Sequence, residues 1–305
     1  MPSTPPPKQP GLRIFFLGTG TSTGVPQLGC RCAVCCSADK RDNRLRSSLF
    51  VCTTEGKNLL FDCGPDFRQQ MCRLLHAHPG LLQPADLTKM PLPPGTDVQA
   101  VRRELAEQPP MALMPIHRLF LTHKHFDHVA GLDDLRPFAV FGDVDIYAEA
   151  DVLDDLRQRI PYCFAEQKYP GVPALQLHAI APYEHVEAGS LRVTPLRVWH
   201  GRMPILGYRF GQAAYITDVK RMDDFDLQQL HGVHTLIVGA LRFRPHHSHQ
   251  TIGEAIAMAE QIGAREVYLT HLSHGAGLYA DSAARLPAHV HFAYDGLELQ
   301  VDGAS

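Results

Sequence analysis

No stretch of these 305 residues is long and apolar enough to span a membrane, and the opening MPSTPPPKQPG lacks an apolar core of the signal-peptide kind. Neither sign of charge dominates. The 29 Lys and Arg against 32 Asp and Glu leave a formal net charge of −3, so no global basic field recruits nucleic acid or an anionic membrane. No internal repeat is visible and no linker divides the chain. Without a secretion signal, the eight cysteines argue against a disulfide framework and for reduced thiols open to metals, and the expected compartment is the cytoplasm.

What is present is a sizeable core and an abundance of histidine. Hydrophobic residues make up 45% and charged residues 20%, the balance of a globular protein, and there are 18 histidines. The Pro-rich residues 1–11 are expected to form a disordered tail. Residues 12–305 are expected to form one domain, a size that layered α/β folds often reach.

Short apolar runs ending in turn residues read as strands: LRIFFLG, SSLFVCT, NLLFDCG, IHRLFLT, VDIYAEA, ALQLHAI, LRVTPLRVWH, ILGYRFG, AAYITD, HTLIVGAL and EVYLTH. Helical periodicity marks PDFRQQMCRLLHAH, with Pro65 in its first turn, and ADVLDDLRQRI, MDDFDLQQL and TIGEAIAMAEQIG. HFAYDGLELQVD reads as a hairpin turning at Asp295-Gly296. Strands followed by helices, twice over, predict two sheets packed face to face with helices outside. Residues from about 79 to 115, rich in Pro and Leu with one helix in DVQAVRRELAEQ, read as an insertion: a lid, a partner surface or a plain surface excursion.

The segment LTHKHFDHVAGL places His123, His125, Asp127 and His128 within six residues at the end of a strand. Imidazole and carboxylate are the usual ligands of Zn²⁺ and its first-row neighbours, and donors this dense suit two adjacent ions. A polar loop that merely happens to be rich in histidine is the bland alternative. Three more donors recur at strand ends, namely His200, Asp218 and His271. Each alone would be an ordinary polar terminus, but together the seven suffice for two metals. Asp218 is the best candidate for a bridging carboxylate, which would relieve repulsion between dications. Separately, GCRCAVCC offers Cys30, Cys32 and Cys35 with Cys36 spare, three thiolates needing one further donor to close a tetrahedral zinc site.

These residues resemble the metallo-β-lactamase superfamily, whose HxHxDH signature stands here as His123, His125, Asp127 and His128. The resemblance runs from FLGTGTSTGVP through LLFDCGPDF to His271 and implies an αββα sandwich, an α/β four-layer fold. It further implies His123, His125 and His200 on one ion and Asp127, His128 and His271 on the other, with Asp218 shared. Asp62 then acts as a carboxylate behind the ligands. The cysteine block looks like that of the PhnP-type phosphoribosyl cyclic phosphodiesterases, where the three cysteines and His274 would hold a structural zinc. In SHQTIGEAI, His249 falls on that family's general acid, with His246 and His247 as rival registers.

The resemblance thus implies two catalytic divalent metals, Zn or Mn, and one structural Zn, acting on a small, cyclic phosphodiester. Two cations lower the pKa of a shared water and stabilise the developing charge, while His249 protonates the departing alkoxide. Asp62, with Asp133 or Asp134 as further candidates, would accept the second N–H of a ligand histidine. Arg202, Arg242 and Arg244 are candidate phosphate clamps. Competing readings are a tRNA 3′-end nuclease, for which −3 gives little support, a glyoxalase-type thioester hydrolase, and a non-catalytic metal-binding pathway protein. The expected partner is a small-molecule phosphodiester, not nucleic acid or membrane, with a homodimer left open.

Overall fold

Strands whose residues are buried on both faces build this protein: every residue of SLFVCT, NLLF, AAYI and TLIVG is buried. The computed structural model describes residues 10–84, 95–106, 112–168 and 171–303. The proposed tail up to residue 9 and parts of the 79–115 insertion lie outside the described residues.

Along the chain, β1 (Leu12–Gly18), β2 (Ser48–Thr53) and β3 (Asn58–Phe61) lead to α1 (Phe67–Ala77). The short pair β4 (Gln83–Pro84) and β5 (Ala112–Leu113) flanks α2 (Val98–Ala106). Then come β6 (Arg118–Phe120), the single turn α3 (Phe126–Val129), β7 (Val144–Ala148), α4 (Ala150–Arg159) and β8 (Leu175–Ala179). The second half holds β9 (Val186–Ala188), β10 (Leu191–His200), β11 (Met203–Phe210), β12 (Ala213–Ile216), α5 (Asp224–Gln229) and β13 (Thr235–Gly239). It closes with α6 (Ile252–Ile262), β14 (Glu266–Thr270), α7 (Tyr279–Ala283), β15 (Val290–Phe292) and β16 (Glu298–Val301).

Two seven-stranded sheets result, ordered β16-β1-β2-β3-β6-β7-β8 and β15-β14-β13-β12-β11-β10-β9. Alternation along β1 shows how they stack: Ile14 and Phe16 join a core with Leu206, Tyr208 and Tyr215 of the opposite sheet, while Phe15 and Leu17 pack with Met71 and Leu74 of α1. On the far side, Ile252, Met258 and Ile262 of α6 cover Leu236 and Val238. The layers are therefore the αββα sandwich that the resemblance implies. Helix α6 is delimited by local chemistry, since Thr251 and Glu254 form a reciprocal capping box and Gly263 ends the helix at φ +76°.

Two expectations need correction. Pro65 precedes the first helix instead of opening it, because Asp66 takes the N-cap position and the helix starts at Phe67. The segment around Asp295-Gly296 is not a hairpin. β15 pairs parallel with β14 in one sheet and β16 pairs antiparallel with β1 in the other. Asp295 is drawn inward to accept hydrogen bonds from the Thr19 N–H and hydroxyl and the Leu45 N–H. The turn therefore crosses from one sheet to the other.

The β3-β6-β7-β8 strands run parallel, as do β12-β13-β14-β15. Their C-terminal ends collect the loops that follow them, the customary place for a site in such sheets.

Candidate metal centre

Five strand ends deliver the site: Asp62 follows β3, Thr122 and His123 follow β6, His200 ends β10, Asp218 follows β12 and His271 follows β14. Three of these side chains sit on left-handed backbone: Asp62 at φ +59°, Asp218 at +52° and His271 at +56°. Non-glycine residues hold that conformation at a cost of about 1–3 kcal/mol each, and only where the surroundings over-determine it, which is a mark of functional sites. Tyr183 is the other such residue described.

One atom from each of His123, His125, His200 and Asp218 lies within 4.8 Å of the others, and so does one from each of Asp127, His128, Asp218 and His271. Asp218 belongs to both groups and divides its oxygens between them. Its Oδ1 is 3.0 Å from His271 Nε2 and 3.3 Å from His128 Nε2, and its Oδ2 is 3.9 Å from His123 Nε2 and 4.0 Å from His200 Nε2.

The hydrogen bonds behind these residues set the imidazole tautomers. His128 Nδ1 donates to Asp62 Oδ2 at 2.8 Å. The Thr122 hydroxyl donates to Asp62, leaving a lone pair to accept from His123 Nδ1 at 3.0 Å. His200 Nδ1 donates to the Ser248 carbonyl at 2.9 Å. Each of the three rings thus turns an Nε2 lone pair toward Asp218, the arrangement a metal-ligating histidine requires.

The fit to cations is visible in what remains unpaired. His128 Nε2 and His271 Nε2, both facing Asp218, are buried without a hydrogen bond, which is costly unless a cation takes their lone pairs. His123 Nε2 faces His125 Nδ1 at 2.8 Å, an approach that a proton or cation between them must relieve. Burial holds the His123 imidazole well below its ordinary range, so it stands neutral. Burial would raise the Asp218 carboxyl, but positive charge gathered at His271 and His128 outweighs it and holds the group well below the usual carboxylate range; an ion taken up by those rings would supply the same charge. This donor set, hard oxygens with imidazoles, fits first-row divalent ions.

Behind the ligands, backbone contacts are tight. Cys63 N–H donates to the His128 carbonyl and Gly131 N–H to the Cys63 carbonyl, at 2.7 and 2.8 Å. A Cβ on Gly64 would stand 2.0 Å from the Asp127 carbonyl oxygen. Gly64→Ala should therefore push α3 away, costing about 1–3 kcal/mol by overpacking. Elemental analysis should find less metal in the folded variant than in wild type; unchanged melting and metal content would show that the contact yields freely.

A second centre lies apart from the first. Cys30, Cys32 and Cys35 bring their sulfurs to 3.2, 3.5 and 3.5 Å from His274 Nδ1, and the four donors converge on one point. Backbone N–H groups of Cys35 and Gln27 point at the Cys32 and Cys35 sulfurs. The Cys35 N–H pulls the Cys32 thiol down to about 6, while burial pushes Cys35 up to about 11. Cys36 is exposed and outside this set.

The structure distinguishes the three registers around HHSH. The ring of His249 lies 4.5 Å from that of His200 and 4.9 Å from that of His271, with Nδ1 4.0 Å from Asp218 Oδ2. His246 stands behind it at 5.1 Å and His247 is exposed. Burial lowers the His249 imidazole to about 3, with Asp218 opposing.

One other expectation fails. Asp133 is paired with Arg136 and Tyr162, and Asp134 is exposed, because the 3-10 stretch after α3 turns both outward. Neither supports a ligand histidine. Of the candidate phosphate clamps, Arg242 donates to the carbonyls of Arg244 and Pro245, and Arg202 and Arg244 are exposed. The sequence reading missed Thr122, Thr217, whose hydroxyl donates to Asp218 Oδ1 at 2.9 Å, and the Ser248 carbonyl. The two threonines stand beside ligands in the chain, which was the only signal available.

A family profile described as "Beta-lactamase superfamily domain" matches residues 92–272. A crystal structure of a diphosphatase from the PhnP family superposes with a TM-score of 0.76 at 32% identity, covering 95% of this chain and 97% of that one. The chain belongs to the PhnP family of the β-lactamase superfamily. Its fold is that of the metallo-β-lactamase hydrolases. Zn²⁺-bound PqqB from Methylobacterium extorquens shares this fold, with a TM-score of 0.69 at 22% identity over 94% of this chain and 99% of that one. An octanoyltransferase of Porphyromonas gingivalis is 41% identical over 292 residues, which are 95% of this PhnP-family chain and 52% of that protein. The chain thus spans about half the length of that relative. Among the described residues, no helix is long and apolar enough to cross a membrane.

Proposed function

We propose that the chain is a two-metal hydrolase of a small phosphodiester, cyclic in its natural form, with a third, structural zinc. The observation that carries this reading is the pair of four-donor clusters sharing Asp218, beside a separate Cys₃His set. His123, His125, His200 and Asp218 would hold one ion, and Asp127, His128, His271 and Asp218 the other. When bound, such ions acidify a water to supply the nucleophile and neutralise phosphate oxygens. Zn²⁺ and Mn²⁺ both suit the mixed His/Asp donors, and Zn²⁺ suits the cysteines.

The chain's own residues do the rest. Asp62 and Thr122 orient His128 and His123, and the Ser248 carbonyl orients His200, so that the lone pairs converge before substrate arrives. Asp218, held by the Thr217 hydroxyl, keeps the two histidine groups at a set separation. His249, lying over His200 and His271, is positioned to give a proton to the leaving oxygen. A phosphate anion beside this ring acts in the same sense as Asp218, favouring its protonated form. The likeness to a PhnP-family diphosphatase supports phosphorus–oxygen bond cleavage. The half-length match to an octanoyltransferase favours a second reading, hydrolysis of an acyl thioester, since the same nucleophile attacks carbonyl carbon.

Protein purified without chelator should contain about three metal equivalents per chain, following the three donor sets. A substrate panel on that protein should rank cyclic phosphodiesters above linear phosphodiesters, diphosphates, precursor tRNA and acyl thioesters. A reproducible content near one equivalent that Cys30→Ser abolishes, or a preference for thioesters, would sink the reading.

A further inference from the structure

The two centres are joined by a strip of four residues. His271 and His274 are separated only by Leu272 and Ser273, and both edges of this strip are hydrogen-bonded. On one edge, Leu272 N–H donates to the Thr19 carbonyl at 2.9 Å and Thr21 N–H to the Leu272 carbonyl at 3.1 Å. On the other, the Ser273 N–H and hydroxyl both donate to the Leu241 carbonyl, at 2.9 and 3.0 Å. Thr19–Thr21 lead directly into the cysteine loop.

The base of that loop is tied by reciprocal backbone bonds between Val25 and Arg44, at 2.9 and 2.7 Å, but the apolar support around its cysteines is small. Its buried cluster consists of Val25, Val34 and Cys35, with Cys30 and Leu278 packed against it. So small an apolar cluster cannot by itself offset the entropy of ordering the loop, whereas closing a tetrahedral site couples ion binding to local folding. At the far end of the strip, His271 stays at φ +56° only while its neighbours hold it there. Asp62 and Asp218 adopt the same conformation on strands of their own.

We propose that the Cys30/Cys32/Cys35/His274 site is a positioning device for His271, so that an ion among the cysteines raises the affinity of the Asp127/His128/Asp218/His271 cluster for its own ion. The cluster of His123, His125 and His200 does not include His271, and its affinity is untouched. The idea rests on the two-ion reading of the main centre.

Metal-stripped wild-type protein tests it without any substitution. Mn²⁺ binding is titrated by electron paramagnetic resonance with and without one equivalent of Cd²⁺, which thiolates take in preference and whose thiolate absorption reports its place. With Cd²⁺ in the cysteines, one of the two Mn²⁺ dissociation constants should be about 10–100-fold smaller, the range that residues supporting a ligand command. It should be the constant that His271→Ala removes, and the other should not move. Cys32→Ser should give the Cd²⁺-free value in Cd²⁺-treated protein, and Cys32→His, which keeps four donors, should restore tight binding. Equal constants with and without Cd²⁺, or both shifting alike, overturn the coupling. Protein that binds a single Mn²⁺ outside the cysteines overturns the two-ion reading instead.

Discussion

Asp218→Ala should abolish turnover and remove two of three metal equivalents, leaving the cysteine-held ion in place. Both carboxylate oxygens are engaged, Oδ1 with His128 and His271 and Oδ2 toward His123 and His200. Without the carboxylate, five imidazoles and Asp127 would be left to hold the two proposed dications with a single negative charge among them. A bridging anion is what allows two such ions to approach. Losing them would forfeit the acidification of a bound water toward neutral pH, so a fall in turnover on the order of 10⁴ or more is expected. Elemental analysis should read close to one equivalent, and Co²⁺ substituted into the variant should still show thiolate absorption. Activity within tenfold of wild type at full metal content would deny Asp218 its place.

His249→Ala should separate proton donation from metal binding. The ring sits over His200 and His271, with its Nδ1 4.0 Å from Asp218 Oδ2. An alkoxide leaving group needs a proton, so turnover on alkyl phosphodiesters should fall by roughly 10²–10⁴. Bis(p-nitrophenyl) phosphate should lose far less, because p-nitrophenolate departs unaided. Metal content should stay at its wild-type value. His246→Ala and His247→Ala, whose rings stand behind or outside the cluster, should show neither pattern. Equal losses on both leaving groups at His249 would make it a phosphate-binding or metal-supporting residue, and the proton donor would lie elsewhere.

How far the chain could be read in advance follows from the range of each interaction. HKHFDH is legible because a strand end followed by a single turn confines its donors to one small volume, whatever lies around it. CRCAVC is legible for the same reason, since its short spacing lets three thiolates meet. His246, His247 and His249 lie so close together that local geometry could not choose among them. The choice came from the loop between Leu241 and Gln250, whose ends are tied by the Leu241 N–H bond to the Gln250 carbonyl. The outward turn of Asp133 and Asp134 depended on Arg136 and Tyr162, and on how the 3-10 stretch packs.

The sequence by itself determined the αββα layering, through apolar strand runs that cannot face water, and the identity of the donors, through residue types whose chemistry is local. Only the tertiary structure decided which of His246, His247 and His249 lies over the cluster, that Thr122 and the Ser248 carbonyl set the ring tautomers, and that Asp295-Gly296 crosses between sheets. Those outcomes depend on contacts between segments distant in the chain. Such contacts arise from the packing of one sheet on the other, and no short window of sequence contains both partners.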